Sequence, residues 1–215
     1  MRQPALFACC AAIAALLAAT PVRANDITTE WASVKPPPVP ELKPATVEPK
    51  TTALLILDIM KINCSARPRC ASTVPKVKAL LDQARAHHMM VFYTFVGGEH
   101  PTPADQADPS IAAKKGEYVV RPGPDKFLGS DLEQRLKAHG IKTVIVTGSS
   151  AQGAVLGTGS HAAQIGYQVV VPVDGMSSED AYDEQYAAWH LAKAAPAGVL
   201  KNITLSRSDL ITFGQ

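Results

Sequence analysis

The sequence of 215 residues lacks a long apolar run beyond its first residues, and it lacks an excess of charge of either sign. Its longest apolar stretch, Ala5 to Ala19, is shorter than the roughly 20 residues that a membrane-spanning helix needs. Arg2 and Arg23 belong to this N-terminal region, so the rest of the chain has 19 basic and 19 acidic residues. Without a Lys/Arg cluster, the composition argues against nucleic acid or an anionic membrane surface as a ligand.

The first 24 residues have the pattern of a secretory signal peptide. They contain one early arginine, the apolar run, and a small-x-small ending at Val22-Arg23-Ala24. We expect cleavage after Ala24 and export of the chain to the periplasm or out of the cell. A lipoprotein would need a cysteine at the cleavage point, whereas Cys9 and Cys10 lie inside the apolar run and leave with it.

Cysteine is scarce in the rest of the chain, where only Cys64 and Cys70 remain, in the segment CSARPRC. A close pair in an oxidising compartment is most simply a structural disulfide. A redox pair of the thioredoxin type would have the spacing C-x-x-C, and a zinc site would need further ligands nearby. The sequence therefore predicts a disulfide that closes a small loop.

Residues 25–52 are rich in proline (KPPPVPELKPATVEPK) and show no apolar periodicity. We expect an extended arm or linker without regular structure, which drapes over its own domain or over a neighbouring subunit. A recognition segment for a proline-binding partner is the alternative. Residues 53–215 are then one domain, long enough for a full hydrophobic core.

A βαβ unit from Lys142 to Asp174 organises that domain. Its predicted elements are a strand at 143–147, a helix at 153–165 and a strand at 168–173. Continuous β-branched runs indicate strands that are buried on both faces, hence a mainly parallel sheet between helices. The whole domain is predicted to be a three-layer α/β sandwich of the Rossmann type with about six strands. Ligands of such sheets bind beyond the carboxyl ends of the strands, where the turn after Gly148 and the acid Asp174 are expected.

Asp58 ends the first apolar run of the domain, TALLILD. A carboxylate at the end of a buried strand costs desolvation energy unless it is paired or used, so Asp58 is a candidate functional acid. A loop or helix cap is the competing interpretation.

The turn GSSAQGAV after the βαβ unit's first strand fits no common nucleotide or nucleophile motif. A phosphate-binding loop would need Lys-Ser/Thr after its glycine, and a nucleophile elbow would need G-x-S-x-G. The glycines from Gly157 onward lie inside the helix, not at the strand exit of a dinucleotide fingerprint. A small-residue turn that allows close helix packing, or hydrolysis through Ser149 or Ser150, remains open.

Three segments taken together resemble the isochorismatase-like, or cysteine hydrolase, superfamily. They are TALLILDIM, VVRPGPDKFLGSDLEQRLKAHGIKTVIVTG and GSSAQGAVLGTGSHAAQIGYQVVVPVDGMSS, and the resemblance as a whole covers about residues 53–194. The resemblance implies that family's fold and a hydrolase whose site combines an Asp, a Lys and a Cys. The Asp falls on Asp58, the Lys on Arg121, six residues before Phe127, and the Cys on Ala154, six residues after Gly148.

Two of these three positions therefore depart from the hydrolytic pattern. Alanine offers no nucleophile, which closes a covalent route through residue 154. Arginine is a poor proton shuttle, but its planar guanidinium binds a carboxylate well through two parallel hydrogen bonds. By resemblance to isochorismatases, which manage without the cysteine, Asp58 would act as general acid while Arg121 holds an anion. The substrate contacts implied by the resemblance lie at Gly148, Ser149, Ser150, Gly153 and Phe127.

The sequence thus supports two functions. One is an exported hydrolase of a small, carboxylate-bearing molecule, and the other is a non-catalytic exported binding protein on the same fold. The nicotinamidase branch of the family carries a metal site, but no D-x-H stands near residues 59–64, so neither metal nor cofactor is expected. Relatives commonly form dimers or larger assemblies, so a homo-oligomer is also expected.

Overall fold

The structure, a computed structural model, describes residues 26–95, 107–120, 123–194 and 201–214. The chain divides after Pro36 into two compact units. In the first unit, Asp26 caps a short helix, α1 (Ile27–Glu30), which continues as a 3-10 turn at Trp31–Ser33. The signal peptide predicted for residues 1–24 lies outside the described residues.

The second unit is built around a seven-stranded sheet in which each described strand pair is parallel. Its strands are β2 (Thr52–Leu57), β3 (Met90–Thr94), β4 (Tyr118–Val120), β5 (Thr143–Ser149), β6 (Gln168–Pro172), β7 (Met176–Ser177) and β8 (Ile203–Ser206). Their order is β4-β3-β2-β5-β6-β8, with β7 paired to the end of β5. A separate parallel pair joins β1 (Ala45–Val47) to β9 (Ile211–Phe213).

Helices cover both faces of this sheet. They are α2 (Lys61–Ala66), α3 (Pro68–Ala86), α4 (Leu132–Ala138), α5 (Leu156–Gln164) and α6 (Ala181–Trp189). Leu55 and Leu57 of β2 pack in the cluster that contains α4, α5 and α6, whereas Leu54 and Ile56 pack with α3. Every residue of β2 is buried, as its uninterrupted apolar run predicts for a central strand. The predicted α/β sandwich is confirmed, with seven strands instead of about six.

The arm contains more regular structure than its composition indicates. Ala45–Val47 forms β1, and Lys43 N donates a hydrogen bond to the Leu205 carbonyl, 2.8 Å away. The prediction of no regular structure in residues 25–52 was therefore wrong. A three-residue strand shows no periodicity, and its partner β9 is more than 160 residues further along the chain. Only tertiary contact could reveal this pairing.

Several predicted boundaries also shift. Residues Ala151–Val155 form a π-helical turn, and α5 begins at Leu156 instead of Gly153. The last strand of the seven-stranded sheet is Ile203–Ser206, whereas the sequence predicts a strand near residues 199–205, of which 199 and 200 lie outside the described residues. These shifts leave the order of the elements unchanged.

Cys64 of α2 and Cys70 of α3 form the predicted disulfide, with their Cα atoms 4.7 Å apart. Both cysteines are buried. Among the described residues, no helix is both long and apolar enough to span a bilayer.

Candidate active site

Asp58 directly follows β2 at the carboxyl edge of the sheet, where the apolar run predicts it. Its backbone has a φ of 53°, in the left-handed region that Asp adopts more readily than bulky residues. Its amide donates to the Thr94 carbonyl at 3.0 Å, and the Thr94 hydroxyl donates to its Oδ1 at 2.8 Å. One bond with β3 therefore holds the backbone of Asp58, and a second holds its carboxylate, which is buried.

Lys126 places its ammonium against this carboxylate. The Nζ atom lies 2.6 Å from Asp58 Oδ2 and donates a second bond to the Gly123 carbonyl at 3.0 Å. The two side chains are 0% and 5% exposed, so this is a buried ion pair. Two of the three N–H groups of Lys126 have acceptors among the described residues. The third can serve a further oxygen atom at the site.

The segment that carries Lys126 is neither helix nor strand, and side chains of α5 hold it in place. Thr158 Oγ1 accepts a hydrogen bond from the Lys126 amide at 3.2 Å. Asp125 accepts from the Phe127 amide at 3.0 Å with one oxygen and contacts His161 Nδ1 at 2.6 Å with the other. Thr158 and His161 are three residues apart and share one face of α5. That face therefore determines where the ammonium lies.

Ala154 sits in the π-helical turn that leads into α5, and it is 4% exposed. It precedes Thr158 by about one helical turn, so it lies on the side of the helix that faces the Lys126 segment. Ala154 also belongs to the same core cluster as Leu57 and Phe127. A methyl group therefore occupies the position at which the sequence resemblance predicts the family's thiol.

Gly148 brings the end of β5 into direct contact with β2. It is the register partner of Leu57, and its φ is 152°. A Cβ atom built on Gly148 would lie 2.4 Å from the Leu57 carbonyl oxygen, closer than real Cβ atoms approach. The absence of a side chain at Gly148 therefore permits the close approach of the two strands beside Asp58.

We expect Gly148→Ala to lower the free energy of unfolding by about 2 kcal/mol, because backbone must shift to accept the methyl group. Gly140→Ala is the matched control, since Gly140 also has a positive φ of 64° but an added Cβ would meet nothing within 4 Å. The control should lose only about 1 kcal/mol, from φ strain alone. Urea unfolding measures both losses. Equal losses of unfolding free energy in the two variants would contradict the claim that the contact with Leu57 destabilises Gly148→Ala.

The predicted substrate contacts Ser149, Ser150 and Gly153 lie together where β5 ends and the turn begins. Ser149 pairs with Ser177 of β7 and is buried, while Ser150 is partly exposed. A Cβ on Gly153 would lie 2.7 Å from Ser150 Oγ, so glycine leaves room for that hydroxyl. In the described part of the chain, neither serine hydroxyl is hydrogen-bonded to a histidine that could activate it. Hydrolysis through a serine thus gains no support from this geometry.

The other predicted positions have mixed outcomes. Arg121 lies outside the described residues. Phe127 packs in the core with its ring centroid 5.0 Å from that of His161 and 6.2 Å from that of Tyr167, and its contact with a substrate stays a prediction. Asp174 accepts two hydrogen bonds from Ser208, at 2.8 and 2.6 Å, which accounts for both of its oxygens. Its expected place in the chemistry is therefore not supported.

Lys126 is the residue that sequence reasoning missed. It stands five positions after Arg121, in the stretch GPDKFLG, which has no period from which the direction of a side chain could be inferred. A useful signal was present nonetheless. A buried Asp58 needs a cation, and Lys126 is the lysine of the segment that the resemblance already brought to the site.

The described side chains form no cluster suited to a metal ion. Within residues 26–95, 107–120, 123–194 and 201–214, no three His, Cys, Asp or Glu side chains are grouped so that they could hold one.

The chain is similar to known proteins over most of its length. The model of the isochorismatase domain family matches residues 52–202. The isochorismatase family protein YwoC of Bacillus subtilis is 30% identical over 158 residues, which are 64% of this chain and 82% of that protein. An N-carbamoylsarcosine amidase of Arthrobacter is 32% identical over 130 residues, 49% of either chain.

A solved structure of similar fold comes from Desulfovibrio vulgaris, where it is described as an isochorismatase family protein. The two folds superpose with a TM-score of 0.66 at 21% identity, covering 74% of this chain and 95% of that one. At this identity the likeness concerns the fold alone.

Proposed function

We propose that this chain, which belongs to the isochorismatase family, hydrolyses a small, carboxylate-bearing molecule. In this proposal Asp58 is the general acid and base. One observation carries the proposal: a buried carboxylate and a buried ammonium meet at 2.6 Å at the carboxyl edge of the sheet. Burying two charges costs several kcal/mol each, and functional sites are where such pairs concentrate.

Lys126 then takes the role that the family resemblance gave to a lysine at position 121. Its third N–H group is available to an oxygen of the substrate, and the charge would favour a carboxylate or a developing oxyanion. Arg121, five residues earlier in the same segment, remains a candidate second holder of the anion. The substrate would lie against the turn from Gly148 to Gly153.

The methyl group of Ala154 directs the reaction away from a covalent intermediate. Without a thiol, water must attack the substrate directly. The carboxylate of Asp58 would take a proton from the attacking water as the new C–O bond forms. It would then give that proton to the leaving group as the bond to the leaving group breaks, so the enzyme ends with the protons it began with.

The second candidate function is binding without turnover, and the missing thiol at residue 154 favours it. Export from the cytoplasm is part of both proposals. The signal-peptide pattern of the first 24 residues and the pairing of Cys64 with Cys70 support it.

A ligand screen separates the two functions. The protein is incubated with small carboxylic acids, enol ethers and amides, and each compound is followed by its effect on the melting temperature and by its consumption over time. A compound that both stabilises the protein and is consumed supports the hydrolase. Stabilisation without consumption by any compound would contradict the hydrolase and support the binding protein.

A further inference from the structure

The Cys64–Cys70 disulfide lies beside the proposed site, and the reaction does not use it. We infer that this bond is a positioning element, which joins the segment that holds Asp58 to the segment that holds the turn around Ala154. The site then keeps its geometry only while the bond is oxidised. This inference rests on the proposed function for the identity of the site.

On the first side, the helix that contains Cys64 holds the backbone of Asp58. Asn63, the residue before Cys64, donates from Nδ2 to the Asp58 carbonyl at 3.2 Å. The same carbonyl accepts the Met60 amide at 2.9 Å, and the Met60 carbonyl accepts the Cys64 amide at 2.9 Å. The first turn of α2 is therefore bonded directly to the residue that carries the catalytic carboxylate.

On the second side, Arg69, the residue before Cys70, begins a chain of hydrogen bonds that ends at the turn. Its Nε donates to Glu184 Oε1 on α6 at 2.9 Å, and its Nη2 contacts the other oxygen of Glu184. Glu184 Oε1 also accepts the Ser178 amide at 2.9 Å. Ser178 Oγ accepts the amide of Ala151 at 3.0 Å, at the first residue of the π-helical turn.

The disulfide joins these two sets of contacts across a break in the helix. Arg67, between α2 and α3, has extended backbone, with φ −122° and ψ 102°, so no helical hydrogen bond rigidly couples Asn63 to Arg69 there. Reduction adds two electrons and two protons and yields two thiols. Dithiothreitol supplies both as it closes to its cyclic disulfide. The two helices can then move relative to each other at Arg67, and the segments around Asp58 and Ala154 are no longer linked through the disulfide.

Hydrogen exchange followed by mass spectrometry tests this inference without a substrate. We compare the oxidised protein with the same protein in dithiothreitol and with Cys64→Ala/Cys70→Ala. In both altered states, amides of residues 58–63 and 150–155 should exchange at least tenfold faster. Amides of residues 54–56 and 144–146, in the centre of the sheet, should keep their rates within twofold.

Two further variants separate the two sets of contacts that the disulfide joins. Arg69→Met removes the second side alone, so it should accelerate exchange at residues 150–155 and leave residues 58–63 unchanged. Lys78→Met is the matched control, because Lys78 lies on the same helix and forms an exposed pair with Asp82 that does not reach the site. It should change neither segment.

Turnover gives an additional readout where the screen has found a consumed compound. For Cys64→Ala/Cys70→Ala, kcat should fall at least tenfold while KM stays within threefold, because the reacting groups are misplaced. Unchanged exchange in either segment, uniform acceleration across the sheet, or an unchanged kcat would each overturn the inference. A screen without any consumed compound would count against the hydrolase, and the exchange rates would still test whether the disulfide positions the two segments.

Discussion

Asp58→Asn is expected to lower turnover of the screened substrate by about 10²- to 10⁴-fold, the usual contribution of a general acid or base. Asparagine keeps the size of the side chain. Its one side-chain oxygen can accept the bond from Lys126, and its NH2 group can donate to the Thr94 hydroxyl. It cannot give a proton to the substrate or take one from water. Binding should therefore survive, and the ligand should still raise the melting temperature.

Asp174→Asn is the matched control for this experiment. Asp174 is also an aspartate that follows a strand of the sheet, but its oxygens accept bonds from Ser208. Its replacement should leave kcat within twofold. Initial rates at saturating substrate concentration measure kcat, and initial rates at low substrate concentration measure kcat/KM. If Asp58→Asn kept more than half of the turnover, general catalysis by Asp58 would be excluded.

Lys126→Met should lower the free energy of unfolding by about 3–5 kcal/mol, because it leaves the carboxylate of Asp58 buried without its cation. For a chain of this length, the melting temperature would fall by roughly 10 °C. The change should be largest in the absence of ligand. Urea unfolding and thermal melting of the parent and the variant measure it.

The double variant Asp58→Asn/Lys126→Met distinguishes the pair from the packing of the lysine stem. It removes both charges, so it should be less destabilised than Lys126→Met alone, and the double-mutant cycle should show strong coupling. Lys137→Met is the control, since Lys137 forms an exposed pair with Glu133 on α4 that solvent screens and that contributes little to stability. A loss of unfolding free energy below about 1 kcal/mol for Lys126→Met would mean that Lys126 and Asp58 do not form a close ion pair.

The elements of the sheet could be predicted because their residues carry a local signal. The apolar runs of β2 and β5 are continuous, which is typical of strands covered on both faces. Their carboxyl ends share one edge of a parallel sheet, so Asp58 and the turn after Gly148 were expected on the same side. The disulfide could be predicted because two cysteines lie close together in a chain whose N-terminal pattern predicts export.

Irregular segments carried no such signal. Leu128 shares helical spacing with Leu132 and Leu136, yet α4 begins at Leu132 and Leu128 is 62% exposed. Lys126 stands in the same segment, and its direction depends on bonds from α5, about thirty residues further along the chain. A period in the sequence cannot describe a side chain whose position is set by a distant helix.

Residue types and patterns within single elements were enough to establish the α/β class, the position of Asp58 at a strand end and the absence of a thiol at residue 154. Three other features emerge only when the chain is folded: Lys126 pairs with Asp58, β1 joins β9, and Arg69 is linked through Glu184 to the turn. Each of those contacts joins residues far apart in the chain, where burial and hydrogen bonding between elements, not local preference, select the partner.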